Sequence, residues 1–202
     1  NTVCHFASET GYHGCPSPKS LEKFMTKETL WPIFDENGIP GKEWLVHAAC
    51  MRADMSDPYS YRIGLMANQV KTLFGEMPDN LDDFALMSQI SQAEAKKYFI
   101  ERMRMNRPTK SGIIWWNLLD GWPEMSDAVV DYYYEKKLAY WYIKRSQAPF
   151  MIAINEIYNW SAKVYACNDT LAPRTGHLTV SDAESGEILF EKDFTAAENA
   201  TT

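Results

Sequence analysis

The chain has 202 residues, with 27 acidic and 20 basic side chains and a formal net charge of -7. That balance opposes binding to a phosphate backbone unless the basic groups gather on one face, and no such cluster is visible, so nucleic acid is excluded as a partner. No stretch approaches the roughly 18 apolar residues of a membrane span, so no membrane partner is expected. The length exceeds one small domain but falls short of the about 250 residues of a complete (β/α)₈ barrel.

In chain order, Val3–Ala7 is a short apolar run leading into Ser8-Glu9-Thr10-Gly11, the pattern of a buried strand ending in a polar turn. Ser17-Pro18 caps a helix carrying Leu21, Phe24 and Met25. Pro32, Asn37-Gly38 and Pro40 mark a loop from Trp31 to Gly41, and a short helix is expected from Trp44 to Met51. Ile63, Met66, Val70, Leu73 and Phe74 recur at helical spacing between Tyr59 and Gly75, the latter a C-terminal cap. Asn80 then caps a long helix with Phe84, Met87, Ser91, Ala95 and Tyr98 along one face. Gly112–Trp116 is β-rich without polar alternation, as for a parallel strand covered on both sides. A final helix is expected from Lys136 to Gln147.

Beyond Phe150 only strands are predicted: Phe150–Ile154, Ser161–Ala166, His177–Ser181 and Ile188–Phe194, with a hairpin turn at Glu184–Glu187. The fold class is therefore α/β, with the C-terminal portion of a (β/α)₈ barrel over residues 1–149. The start of an immunoglobulin-like β-sandwich follows over residues 150–202. The first residues read as an interior strand, which implies that the chain begins inside a larger protein.

In such barrels the reacting groups sit on loops at the carboxyl ends of the strands, which makes Glu9 the catalytic candidate. Trp116, Asn117, Asp120 and Trp122 follow the second strand and would face the same mouth. A carboxylate beside indole rings suits glycosidic chemistry, with a nucleophile for the anomeric carbon and a flat platform for the sugar. Taken alone, the same residues also fit a capping carboxylate and packing tryptophans.

The blocks HFASETGYHGCPSPKSL and SGIIWWNLLDGWPEMSDAVVDYYYEKKLAYWYIKRSQAPF resemble the catalytic barrel of glycoside hydrolase family two, in its β-mannosidase and exo-β-glucosaminidase branch. The intervening segment is also similar, so the resemblance spans residues 3 to about 150. It implies that Glu9 is the nucleophile of a retaining exo-β-glycosidase acting on terminal β-linked, mannoside-like sugars. It also implies that Trp116, Asp120 and Trp122 line the sugar floor at the end of strand eight. Thr10 replaces the usual aromatic after the nucleophile, and Asn117 and Leu119 stand where the branch has Gln and Asn. The family's acid/base follows an Asn at the end of strand four, so the isolated chain is expected to hydrolyse nothing. Asn155-Glu156 imitates that dipeptide but lies in the strand-rich tail.

The alternative reading is a non-catalytic carbohydrate-binding or scaffold module. Partners implied are a β-linked glycoside and either a second copy or the rest of the barrel, which would cover exposed strand faces. Scattered Cys4, Cys15, Cys50 and Cys167 and four scattered histidines point to no metal, and no cofactor is implied. Three sequons begin at Asn159, Asn168 and Asn199. A periplasmic, secreted or lysosomal-type compartment is expected over the cytoplasm.

Overall fold

The structure, a computed structural model, describes residues 4–202, so the expected strand residue Val3 lies outside the described residues. The chain is a mixed α/β protein that divides into two compact units, one of residues 8–98 and 114–144, the other of residues 4–7, 99–113 and 145–202.

β1 (Phe6–Thr10), whose residues 8–10 belong to the first unit, carries Glu9 within the strand rather than in the turn after it. The α-helices that follow are α1 (Pro18–Leu21), α2 (Lys42–Val46), α3 (Tyr61–Phe74) and α4 (Leu81–Met105), the last with residues 81–98 in this unit. Ser17 caps α1 by accepting from the Ser20 amide, yet the helix ends after a single turn. Leu21 and Met25 are nevertheless buried, because the continuing turns keep both on the core side. α3 stops at Gly75, whose φ of 88° is the left-handed conformation that glycine adopts without steric cost. The Asn80 side chain accepts from the Asp83 amide at 2.9 Å and starts α4.

The apolar core of this unit gathers Leu21, Met25, Ile33, Trp44, Ile63, Met66, Val70, Phe84 and Met125. Trp44 is fully buried, and its indole nitrogen donates to the Thr29 carbonyl at 2.9 Å, so the ring enters the core with its polar edge paired. Tyr98, expected on the packed face of α4, is 44% exposed.

β2 (Gly112–Trp115) pairs with β1. The Ser111 amide donates to the His5 carbonyl and the Trp116 amide to the Thr10 carbonyl, each at 2.7 Å. The two bonds have the same sequence offset, so the strands run parallel and finish at the same end. Full covering of β2 does not hold within the chain, where Ile114 is 54% and Trp116 52% exposed. α5 (Leu138–Ser146) ends the helical part of the chain.

In the second unit, β3 (Phe150–Ile154), β4 (Val164–Asn168) and β7 (Ala200–Thr201) form one antiparallel sheet. β5 (Arg174–Ser181) and β6 (Ile188–Ala196) form an antiparallel hairpin. Its turn is closed by the Asp182 carboxylate, which accepts from the Ser185 and Glu184 amides at 2.7 and 3.1 Å. Leu178 and Val180 alternate with exposed neighbours, the period-two pattern of a strand with one covered side. Phe150 and Phe194 stack at 6.1 Å. Of the four cysteines, Cys15, Cys50 and Cys167 are buried and Cys4 is exposed, all as free thiols. Among the described residues no helix is long and apolar enough to cross a membrane.

Candidate active site

The loops that follow β1 and β2 are held by one polar face of α4. Ser88 accepts from the Cys15 amide at 3.0 Å, and Gln89 donates to the Cys15 carbonyl at 3.1 Å. Ser91 pairs with the Tyr12 hydroxyl at 3.0 Å. The Gln92 amide, fully buried, donates to the carbonyls of Tyr12, Asp127 and Ala128 at 3.0, 3.0 and 3.2 Å. One turn on, Lys96 Nζ donates to the Trp116 carbonyl at 2.6 Å. Buried loop carbonyls need donors, and the helix face supplies them in place of apolar packing. For that reason Ser91 is buried on a helix face that spacing alone marks as hydrophobic.

Between these loops lies a group of charged side chains. Lys137 is 2% exposed, donates to the Gly14 carbonyl at 2.7 Å and approaches Asp120 at 3.9 Å. Burial lowers the Lys137 pKa, and burial raises that of Asp120 against the pull of Lys137 and Ser126. Lys96, 3% exposed, is brought down to about 8 by the same desolvation. His13 lies 3.5 Å from Asp127, and burial lowers its pKa. Glu124 is raised to about 7, first by desolvation and then by Asp120, while a hydrogen bond from the Trp122 side chain opposes the shift.

Glu9 is exposed, and its carboxylate makes no hydrogen bond or ion pair among the described residues. Trp116 stands at the level of the end of β1, bonded to the residue after Glu9, and its ring is open to solvent. The Trp116–Asn117 peptide is cis. Asn117 donates weakly to the Leu119 carbonyl at 3.4 Å and keeps a buried side-chain oxygen without a protein partner. Trp122, 37% exposed, stacks on His47 at 5.7 Å, and His47 in turn bonds the Pro123 carbonyl at 2.7 Å. Asp120, the further residue expected at the sugar floor, is buried beneath the loop that follows β2. It is 2% exposed, accepts a hydrogen bond from the Ser126 hydroxyl and lies 3.9 Å from Lys137.

Sequence reasoning missed Gln92, Lys96, Lys137, Glu124 and His47. Lys137 follows Lys136 at the start of the expected helix, and only the fold separates the buried lysine from its exposed neighbour. His47 carries no spacing signal at all. Among the described residues no group of three or more His, Cys, Asp or Glu side chains could hold a metal ion.

The chain thus brings an exposed carboxylate and tryptophans to the carboxyl ends of two neighbouring parallel strands. No family model matches the chain. It is 32% identical over 142 residues to β-mannosidase B of Thermothelomyces thermophilus, an alignment covering 59% of this chain and 17% of that protein. It is 30% identical over 140 residues to an exo-β-D-glucosaminidase of Arthroderma benhamiae, covering 67% of the chain and 15% of the relative. The crystal structure of a β-D-mannosidase from Dictyoglomus thermophilum superposes with a TM-score of 0.76 at 25% identity, over 98% of this chain and 23% of that one. An exo-chitosanase from Amycolatopsis orientalis shares the fold, with a TM-score of 0.70 at 20% identity over 96% of this chain and 22% of its own. The chain is a relative of the β-mannosidase and exo-β-glucosaminidase branch of glycoside hydrolase family two, and it spans less than a fifth of the length of these curated relatives.

Proposed function

We propose that the chain supplies the nucleophile side of a retaining exo-β-glycosidase that removes terminal β-linked, mannoside-like sugars. The observation that carries this reading is an exposed Glu9 at the end of β1, one residue before Thr10, whose carbonyl accepts from the amide of Trp116 at the end of the parallel neighbour. The relationship to β-mannosidase and exo-β-glucosaminidase sequences supports it. In this reading residues 1–149 are strands seven and eight of a (β/α)₈ barrel with their helices, and residues 150–202 open an immunoglobulin-like sandwich.

Glu9 attacks the anomeric carbon and displaces the leaving oxygen, which takes a proton from a second carboxyl group about 5–5.5 Å away. Water then attacks the glycosyl ester, gives its proton to that second group and releases Glu9 with overall retention. Trp116 and Trp122 offer apolar platforms for the sugar, and Asn117 is a polar neighbour of Trp116. Asp120 acts from behind, by holding the strand-end loop. The acid/base carboxyl lies outside these 202 residues, and general acid catalysis is worth roughly 10²–10⁴ in rate, so the isolated chain hydrolyses nothing. The open faces of Ile114 and Trp116 are consistent with cover from the remaining strands or from a second copy.

The test is labelling of the longer polypeptide that contains this chain with a 2-deoxy-2-fluoro β-glycoside, followed by peptide mapping. The expected result is a covalent sugar on Glu9 and no labelling of Glu9→Gln. Tight sugar binding without an adduct would favour the non-catalytic module instead.

A further inference from the structure

We infer that Lys96 is a positioning residue for the sugar platform at Trp116, an inference that rests on the function proposed above. The Trp116 residue is 52% exposed, so its ring is open to a ligand. The backbone that carries the ring is tied on either side. The Trp116 amide donates to the Thr10 carbonyl at 2.7 Å, and the Trp116 carbonyl accepts from Lys96 Nζ at 2.6 Å.

The lysine that makes the second bond is 3% exposed and lies 5.4 Å from the centre of the neighbouring Trp115 ring. Holding an ammonium there is costly, since desolvation and the charge of Lys137 oppose it while Asp127 supports it. Elsewhere on the same face of α4, Gln89 and Gln92 satisfy loop carbonyls without any charge. At Trp116 the helix instead extends a charged donor, and the charge makes that bond roughly twice as strong as a neutral one. The bond thereby ties the end of β2 to the helix that also holds the loop after β1, through the Gln92 bond to Tyr12.

The experiment is a double-mutant cycle in the longer polypeptide, with kcat and KM for an aryl β-glycoside measured for the parent, Lys96→Met, Trp116→Ala and the double variant. Lys96→Met is expected to lose about tenfold in kcat/KM, mostly through KM, because the Trp116 carbonyl is left without a partner. In the Trp116→Ala background the same change is expected to cost nothing further, and Lys96→Arg to restore most of the loss. If Lys96→Met is insoluble, Lys96→Gln carries the same cycle. Losses that multiply in the double variant would show that Lys96 acts independently of Trp116 and overturn the inference. Glu9→Gln separates the two levels. Turnover that survives Glu9→Gln, or no turnover by the parent, overturns the proposed function and the inference with it, whereas Glu9-dependent turnover with a multiplicative cycle overturns Lys96 alone.

Discussion

Gly14 and Gln92 are packed so closely that a β-carbon on Gly14 would lie 2.2 Å from the Gln92 side-chain oxygen. Gln92 has no room to retreat, since it is fully buried and its amide nitrogen is committed to three carbonyls of the two strand-end loops. Gly14→Ala is therefore expected to destabilise the first unit by about 1–3 kcal/mol, the usual range for an overpacked core. Urea denaturation of the two proteins measures it, and a variant as stable as the parent would mean that the loop shifts freely.

Glu124 gives a pH dependence with a definite sign. Its carboxyl is raised from 4.5 to about 7 in the folded protein, chiefly by burial, so the folded state binds more protons than the unfolded state across that interval. Its contribution to stability is complete below pH 4.5 and is lost as the pH rises through about 7. Glu124→Gln is expected to match the parent at acid pH and to exceed it by about 1–2 kcal/mol at pH 8, less than the full linkage value because solvent reaches this half-buried group. Denaturation curves at both pH values decide it, and an unchanged difference between them rejects the assignment.

His177 and Asp193 face each other across the β5–β6 hairpin at 2.7 Å. That hydrogen bond, aided by the charges of Asp193 and Glu191, lifts the imidazole above 6.5. Stability from the pair is complete below 6.5 and fades as the pH rises through the elevated value. In an NMR titration Asp193→Asn is expected to bring the His177 midpoint down toward 6.5.

Asn168 is a polar plug in the second unit. It is fully buried, donates to the carbonyls of Ala172, Ala196 and Ala197, and accepts from the Thr170 amide and hydroxyl. Asn168→Ala orphans several of these groups together and is expected to cost about 2–4 kcal/mol, read as a lowered Tm. The same burial makes a glycan on this sequon incompatible with the fold, and peptide mapping after secretion from a eukaryotic host should find Asn168 unmodified.

The parts of this protein that its sequence determined by itself are local. Asn80 before α4, Gly75 after α3 and Asp182 ahead of the β5–β6 turn act on backbone groups within four residues, so their effect is written beside them. The motif around Glu9 and the one from Trp116 to Pro123 are likewise local, and they carry the resemblance to the β-mannosidase and exo-β-glucosaminidase branch. Tertiary structure decided which charges are buried and what they hold. Lys137 reaches the Gly14 carbonyl across 123 residues, and Gln92 reaches Tyr12 across 80. Helical spacing can mark a polar face, but it cannot say that two loops will lay their carbonyls against it. The burial of Asp120 has the same origin, because a carboxylate's exposure depends on what the rest of the chain folds over it, here Ser126 and Lys137.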